Sequence, residues 1–190
     1  MVATVSVYFD FGGADTAPGT NQDVDALGPP SIRFKAADDA TIDASDKLVI
    51  PAAGTIYSYW KHLYLYCDDA DSHTLNNFKI YSDGNNGLGT GVDVYVGLEF
   101  PTKTHASDAG YEVADAQTEI TAGHSGIDTS ASIFDYTSGA ALSVDCDEAG
   151  NAIDDTGETT DYVVAQMNVA STASAGDTPN ETGTWAYDEA

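Results

Sequence analysis

The chain has 190 residues, 42% of them hydrophobic, and its six lysines and arginines stand against 31 aspartates and glutamates for a formal net charge of -25. Such a surface repels phosphate backbones and anionic bilayers, which excludes nucleic-acid binding, and no apolar run approaches the ~20 residues of a membrane-inserted helix. The apolar content excludes a disordered acidic tail, and the length suits one domain over residues 1–190.

Alternating apolar and polar residues predict strands in chain order over Val2–Phe11, Ser31–Lys35, Lys47–Pro51, Thr55–Cys67, Thr74–Ser82 and Val92–Phe100. Further strands are predicted at Thr118–Thr121, Ser132–Tyr136, Ala141–Cys146, Tyr162–Val169 and Thr184–Tyr187. Turn-forming stretches such as "GGADTAPGTNQ", "LGPP", "SDGNNG" and "SAGDTPNETG" separate them, and no window carries an apolar stripe at helical spacing. The expected fold is all-β, a single β-sandwich of jelly-roll or Ig-like type. Residues 101–130, poor in large apolar side chains, are expected to form a loop-rich excursion over one end of it, a place for function or subunit contact.

Within "YVVAQMNV", Val163, Ala165, Met167 and Val169 fall on one face, expected to be core. Val164, Gln166 and Asn168 fall on the other, expected to be wet or in contact with a partner. In "TIYSYWKHLYLYC", Leu63, Leu65 and Cys67 share one face while Trp60, His62, Tyr64 and Tyr66 share the other. That aromatic face has two readings, a protein contact or burial beneath a long loop or second layer. Trp185 and Tyr187 near the end of the chain join these four as interface candidates. Cys67 and Cys146 each close an alternating set aimed at the interior, so two core thiols are weighed against a bridge.

"IYSDGNNGLGTGVDVYVG" invites a phosphate, dinucleotide or calcium reading, and each lacks a part. Thr90 stands where a phosphate loop needs lysine, no βαβ unit surrounds the glycines, and no carboxylate closes a calcium loop begun by Asp83 and Asn85. A glycine-rich hairpin turn, with Asn and Gly at positive φ, is the better account. "DCDEAGNAIDD" echoes an EF-hand start at Asp145 and Asp147, but Ala149 and Thr156 occupy ligand positions. Asp83, Asn85, Asp145 and Asp147 therefore remain weak cation candidates against a solvated acidic rim. The four histidines follow no zinc spacing, no "GxSxG" elbow occurs, and acid pairs are too abundant to inform. No catalytic residue and no cofactor is assigned, beyond loosely bound Na⁺, K⁺, Mg²⁺ or Ca²⁺.

Three segments, "SIRFKAADDATIDASDKLVIPAAGTIYSYWKHLYL", "NNFKIYSDGNNGLGTGVDVYVG" and "VVAQMNVASTASAGDTPNETGTWAYDEA", together resemble virion structural proteins of tailed viruses. The landmarks are Tyr81, Ser82, Asp83 and Gly84 before the glycine-rich turn, and Tyr187, Asp188 and Glu189 near the end. The resemblance implies a non-enzymatic β-sandwich, a capsid decoration or tail or neck component, whose partners are copies of itself and other virion proteins, with host-surface contact open. With the acidic composition it implies a virus of a halophilic archaeon, because at ~1 M salt the Debye length falls to ~3 Å and carboxylate repulsion is screened. The start of the chain has no secretory signal pattern, in keeping with a virion protein assembled in the host cytoplasm. Two competing expectations are a cell-surface or receptor/carbohydrate-binding sandwich and a secreted hydrolase.

Overall fold

Period-two patterning sorts β1 (Thr4–Ala14) into two faces, and its ladder with β4 (Lys61–Asp69) carries both across. Val7 and Phe9 lie opposite Leu65 and Leu63 on the inner face, while Tyr8 and Asp10 lie opposite Tyr64 and His62 on the outer. The computed structural model describes residues 2–28, 32–41, 45–98, 110–146, 148–176 and 178–190. It is all-β and sandwich-like, with two antiparallel sheets whose inner faces share one hydrophobic core.

The larger sheet runs β2 (Ala17–Asp23), β1, β4, β10 (Val163–Ala170), β6 (Val92–Leu98) and β7 (Ala131–Ser132), and β3 (Thr55–Tyr57) pairs the far end of β10. The smaller holds β11 (Thr184–Glu189), β5 (Leu75–Tyr81) and β8 (Leu142–Ser143), with β9 (Ala152–Ile153) also on β5. Phe9, Leu63, Leu65, Val96, Val163 and Ala165 from the first sheet meet Leu75, Phe78, Ile80 and Val144 in the core. Cys67 and Cys146 are both buried in it as free thiols, and burial pushes the Cys146 thiol up to about 11. The end of the chain is tied back by its own bonds: Thr74 and Ala190 exchange backbone hydrogen bonds, and the Ala3 N–H donates to Glu189 at 2.8 Å.

Several expected elements differ. The predicted strand Thr55–Cys67 is two strands, because Ser58–Trp60 leave the ladder and the Tyr59 N–H turns to the Lys35 carbonyl at 3.0 Å. Residues 32–35 and 47–51 are not strands, yet Ile32, Phe34, Leu48 and Ile50 still pack against the core while Val49 stands exposed. Ser31 and Phe100 lie outside the described residues. Thr118–Thr121 gives way to α1, a single helical turn at Ile120–Gly123, and Ser132–Tyr136 becomes β7 followed by a 3₁₀ turn. Strand β2 lies in a segment expected to be a turn; being a sheet edge, mostly exposed on both faces, it has no alternation to betray it and tolerates Pro18.

The glycine-rich stretch is not a hairpin, since the strands it joins, β5 and β6, belong to different sheets. It carries the chain around the sandwich edge, with Gly84, Gly89 and Gly91 at positive φ and Leu88 inserted in the core. Neither Asn85 nor Asn86 adopts positive φ. Asn86 instead donates to the Val92 carbonyl and accepts from the Leu88 N–H, pinning the crossover with its side chain.

Candidate functional site

On the outer face of the larger sheet Asp10, His62, Tyr64, Val164 and Gln166 stand side by side, a polar set that a sheet facing water could simply leave hydrated. Here residues 110–129 form a cap over them. Tyr111 and Val113 anchor one side: the Thr16 N–H donates to the Tyr111 carbonyl at 2.8 Å, the Val113 N–H donates to Asp15 at 3.0 Å, and the Tyr111 hydroxyl donates to the Gly12 carbonyl. Gln166 anchors the middle, accepting from the Ile120 N–H at 3.0 Å and donating to the Thr118 carbonyl at 2.6 Å. Two glycines make the close approach possible: a Cβ on Gly97 would lie 2.8 Å from Ile127, and one on Gly123 would lie 3.0 Å from the Trp60 ring.

Beneath the cap every polar group has a partner. Asp10 accepts from the Tyr64 hydroxyl at 3.3 Å and from the Tyr162 hydroxyl, and all three residues are buried. Burial, reinforced by the Asp10 carboxylate, holds the Tyr64 phenol well above its ordinary range; burial does the same for Tyr111, with Asp38 next. His62 Nε2 lies 3.1 Å from His124 Nε2, a spacing that needs one nitrogen to donate and the other to accept. At His124 Nδ1 the Glu112 carboxylate at 2.9 Å calls for a proton, while the Gly126 N–H at 3.1 Å calls for a lone pair. The cluster ties the cap to the sheet, with His124 Nδ1 facing both a carboxylate and a donor N–H.

On the inner face, Lys61 is fully buried, 2.8 Å from Asp38 and 4.9 Å above the centre of the Phe11 ring. Burial pulls its pKa down, and Asp38 works against that pull. Lys35, also buried, pairs with Asp39 at 2.9 Å. Although burial alone would raise it, Asp39 is held at about 2 by hydrogen bonds from Thr41 and Lys35.

These positions decide between the two readings of the aromatic face. Trp60, His62 and Tyr64 are each 1% exposed and so are not available as interface residues; the cap is the second layer, and the Trp60 indole donates to the Glu112 carbonyl at 3.1 Å. Tyr66 is half-buried beyond the cap's edge. The outer face of β10 is likewise covered at Val164 and Gln166 rather than wet, and residues 110–129 of the expected excursion lie across the sheet rather than over its end, while 101–109 lie outside the described residues. Trp185 and Tyr187 are half-buried on β11, the edge strand of the smaller sheet.

The weak cation candidates do not converge. Asp83 is exposed and accepts from the Asn85 N–H at 2.8 Å, a local turn, and Asp145 is exposed and accepts from Asn151 at 2.8 Å. Asp147 lies outside the described residues. Asp154, Asp155 and Glu158, a set the sequence reading missed, lie within 4.8 Å of one another, but one Glu158 oxygen already accepts from two backbone N–H groups there.

Where the cap ends, the sheet's outer face reopens as a groove of about 900 Å³ along β10. Tyr57 and Thr55 of β3 form one wall, Asp93 and Tyr95 of β6 the other, with Glu119 of the cap at one end and the Gly89–Gly91 crossover also on its lining. Register sets this out, since Asn168 lies opposite both Tyr57 and Asp93, and Gln166 lies opposite Tyr95. Compared with known protein families, curated proteins and solved structures, the chain finds no match in any of the three.

Proposed function

We propose that the chain is a non-enzymatic structural subunit of a tailed-virus particle, a capsid decoration or a tail or neck component, which assembles in high salt with copies of itself and with other virion proteins. One observation carries the salt requirement: two of the six cations are turned inward. Lys61 and Lys35 are buried and the Arg33 Nε is shut from solvent, so the outer surface is more purely carboxylate than the composition implies. Such a shell repels itself in dilute buffer and is relieved by screening, with Na⁺, K⁺, Mg²⁺ or Ca²⁺ loosely held as counterions.

The resemblance to virion proteins supplies the context, and strand β11 supplies an assembly surface. Among the described residues β11 pairs only with β5, so one side of its ladder is open beside the half-buried Trp185 and Tyr187. An open edge with aromatic neighbours suits strand addition from an adjacent subunit. Mass spectrometry and cryo-electron microscopy of gradient-purified virus particles test the proposal directly. The expected result is stoichiometric copies of this chain in the particle, with density against β11; absence from particles, with the chain recovered free as a monomer, would overturn it. A second reading, a carbohydrate-binding module acting at a host or cell surface, is favoured by the groove beside the cap.

A further inference from the structure

We propose that the groove along β10 is a binding site for a neutral oligosaccharide, one that stacks on Tyr57 and Tyr95 and hydrogen-bonds to the polar floor between them. The proposal is independent of the assembly role, because a single copy of the chain contains the whole groove.

The volume, about 900 Å³, is within the usual range for ligand sites, and the floor is rigid sheet rather than loop. Both tyrosines are half-buried, so their rings are braced from behind with part of each left to a ligand. Burial raises the Tyr57 pKa, and Glu119 and Tyr95 raise it further, which places the three groups within electrostatic reach of one another. Neither phenol hydroxyl has a hydrogen-bond partner among the described residues. Between the two walls the half-buried Asn168 turns its Oδ1 away from solvent, so the acceptors on the lining that a ligand can reach are the half-buried Asp93 and Glu119 carboxylates.

Charge and chemistry narrow the class. Among the described residues no lysine, arginine or histidine lines the groove, while Asp93 and Glu119 do, so phosphates, sulfates and uronates are repelled. A wholly apolar ligand would strip water from the carboxylates without replacing it. A peptide strand cannot add to β10 beneath the groove, because its backbone is already paired on both sides by β3 and β6. A sugar chain meets each condition, with C–H faces for the tyrosine rings and hydroxyls that donate to Asp93 and Glu119.

The glycine-rich crossover has a part in this. Gly91 accepts the Ala170 N–H at 2.7 Å, and a Cβ at Gly91 would strike Ala173 at 2.7 Å. Gly89 and Gly91, both at positive φ, thus bring the crossover down beside β10 with no side chains to fill the groove.

The test is saturation-transfer NMR and calorimetry in molar KCl with the whole chain. The probes are neutral hexasaccharides of glucose, galactose, mannose and N-acetylglucosamine, with a sulfated hexasaccharide and hexalysine as charged controls. At least one neutral probe is expected to bind, with Tyr57→Ala and Tyr95→Ala each weakening it by about two- to tenfold. Because Tyr95 also packs beneath the cap's edge, Thr90→Arg serves as a second variant. It adds a long side chain at an exposed position on the groove lining, away from the core, and is expected to abolish binding while leaving the melting temperature unchanged. Failure of every neutral probe, preference for hexalysine or the sulfated probe, or binding that survives Thr90→Arg would each overturn the proposal.

Discussion

Lys61 stands at the end of a row of inward-facing side chains on β4, where alternation alone calls for another Leu or Val. Its ammonium is held by Asp38 and by the faces of Phe9 and Phe11, and Asp38 also accepts from the Gly12 N–H at 2.6 Å. Removing one member of a buried pair strands the other, at a typical cost of 3–5 kcal/mol. Lys61→Ala is therefore expected to destabilise the chain by about 3 kcal/mol in urea titrations at molar salt. The double variant Lys61→Met with Asp38→Asn, which keeps an acceptor for the Gly12 N–H, is expected to recover about half of that loss. A double variant no more stable than Lys61→Ala would show that the pair's charge is not what matters.

The cap is the element that most changes how the sheet works, and two glycines seat it. Placing a side chain at Gly97 drives it into Ile127 and, at 3.0 Å, into the Thr129 carbonyl, so Gly97→Val is expected to lift the cap at a cost of about 1–3 kcal/mol. In a Trp185→Phe background, the remaining indole, Trp60, should then shift its fluorescence to longer wavelength and become open to quenching. Unchanged Trp60 emission would contradict the seating described.

Elements also set the limit of what the sequence disclosed. Alternation located β1, β4, β5, β6, β10 and β11 and assigned the inner faces of β4 and β10, because core burial imposes period two wherever a strand has one dry side; on β11 Trp185 and Tyr187, named as interface candidates, pack against the core instead. It misassigned residues 47–51 for a physical reason: Leu48 and Ile50 turn inward like strand residues while their backbone finds no ladder. Alternation reports where side chains go, not whether the main chain has a partner. Strand β2 was hidden by the converse, a paired backbone without a buried face. Period two revealed that Trp60, His62 and Tyr64 share a face but could not say what covers it, since the covering segment is 50 residues away and small in side chain. The groove was illegible for the same reason, as Tyr57, Tyr95 and Asn168 come together only through cross-strand register.

For the whole molecule, the decisive quantity is the imbalance between 31 acidic and six basic residues, with two of the six buried. The hydrophobic core favours the fold at any ionic strength, but carboxylate repulsion opposes it until counterions screen the surface. Screening works on length scales set by salt, from ~10 Å at 0.1 M to ~3 Å at 1 M, so the opposition fades across that range. The proposed assembly would follow the same rule, because two subunits approaching through β11 would bring two acidic shells together.

Thermal melting followed by sedimentation across KCl concentration tests most directly whether screening of the carboxylate shell governs the fold and the proposed association. Chloride is the suitable salt, since sulfate would stabilise any protein by exclusion from its surface. The account predicts a melting temperature that rises by about 10 °C or more between ~0.1 M and ~3 M KCl, with oligomers forming only toward the upper end. A melting temperature and a sedimentation coefficient that stay constant across the series would contradict it.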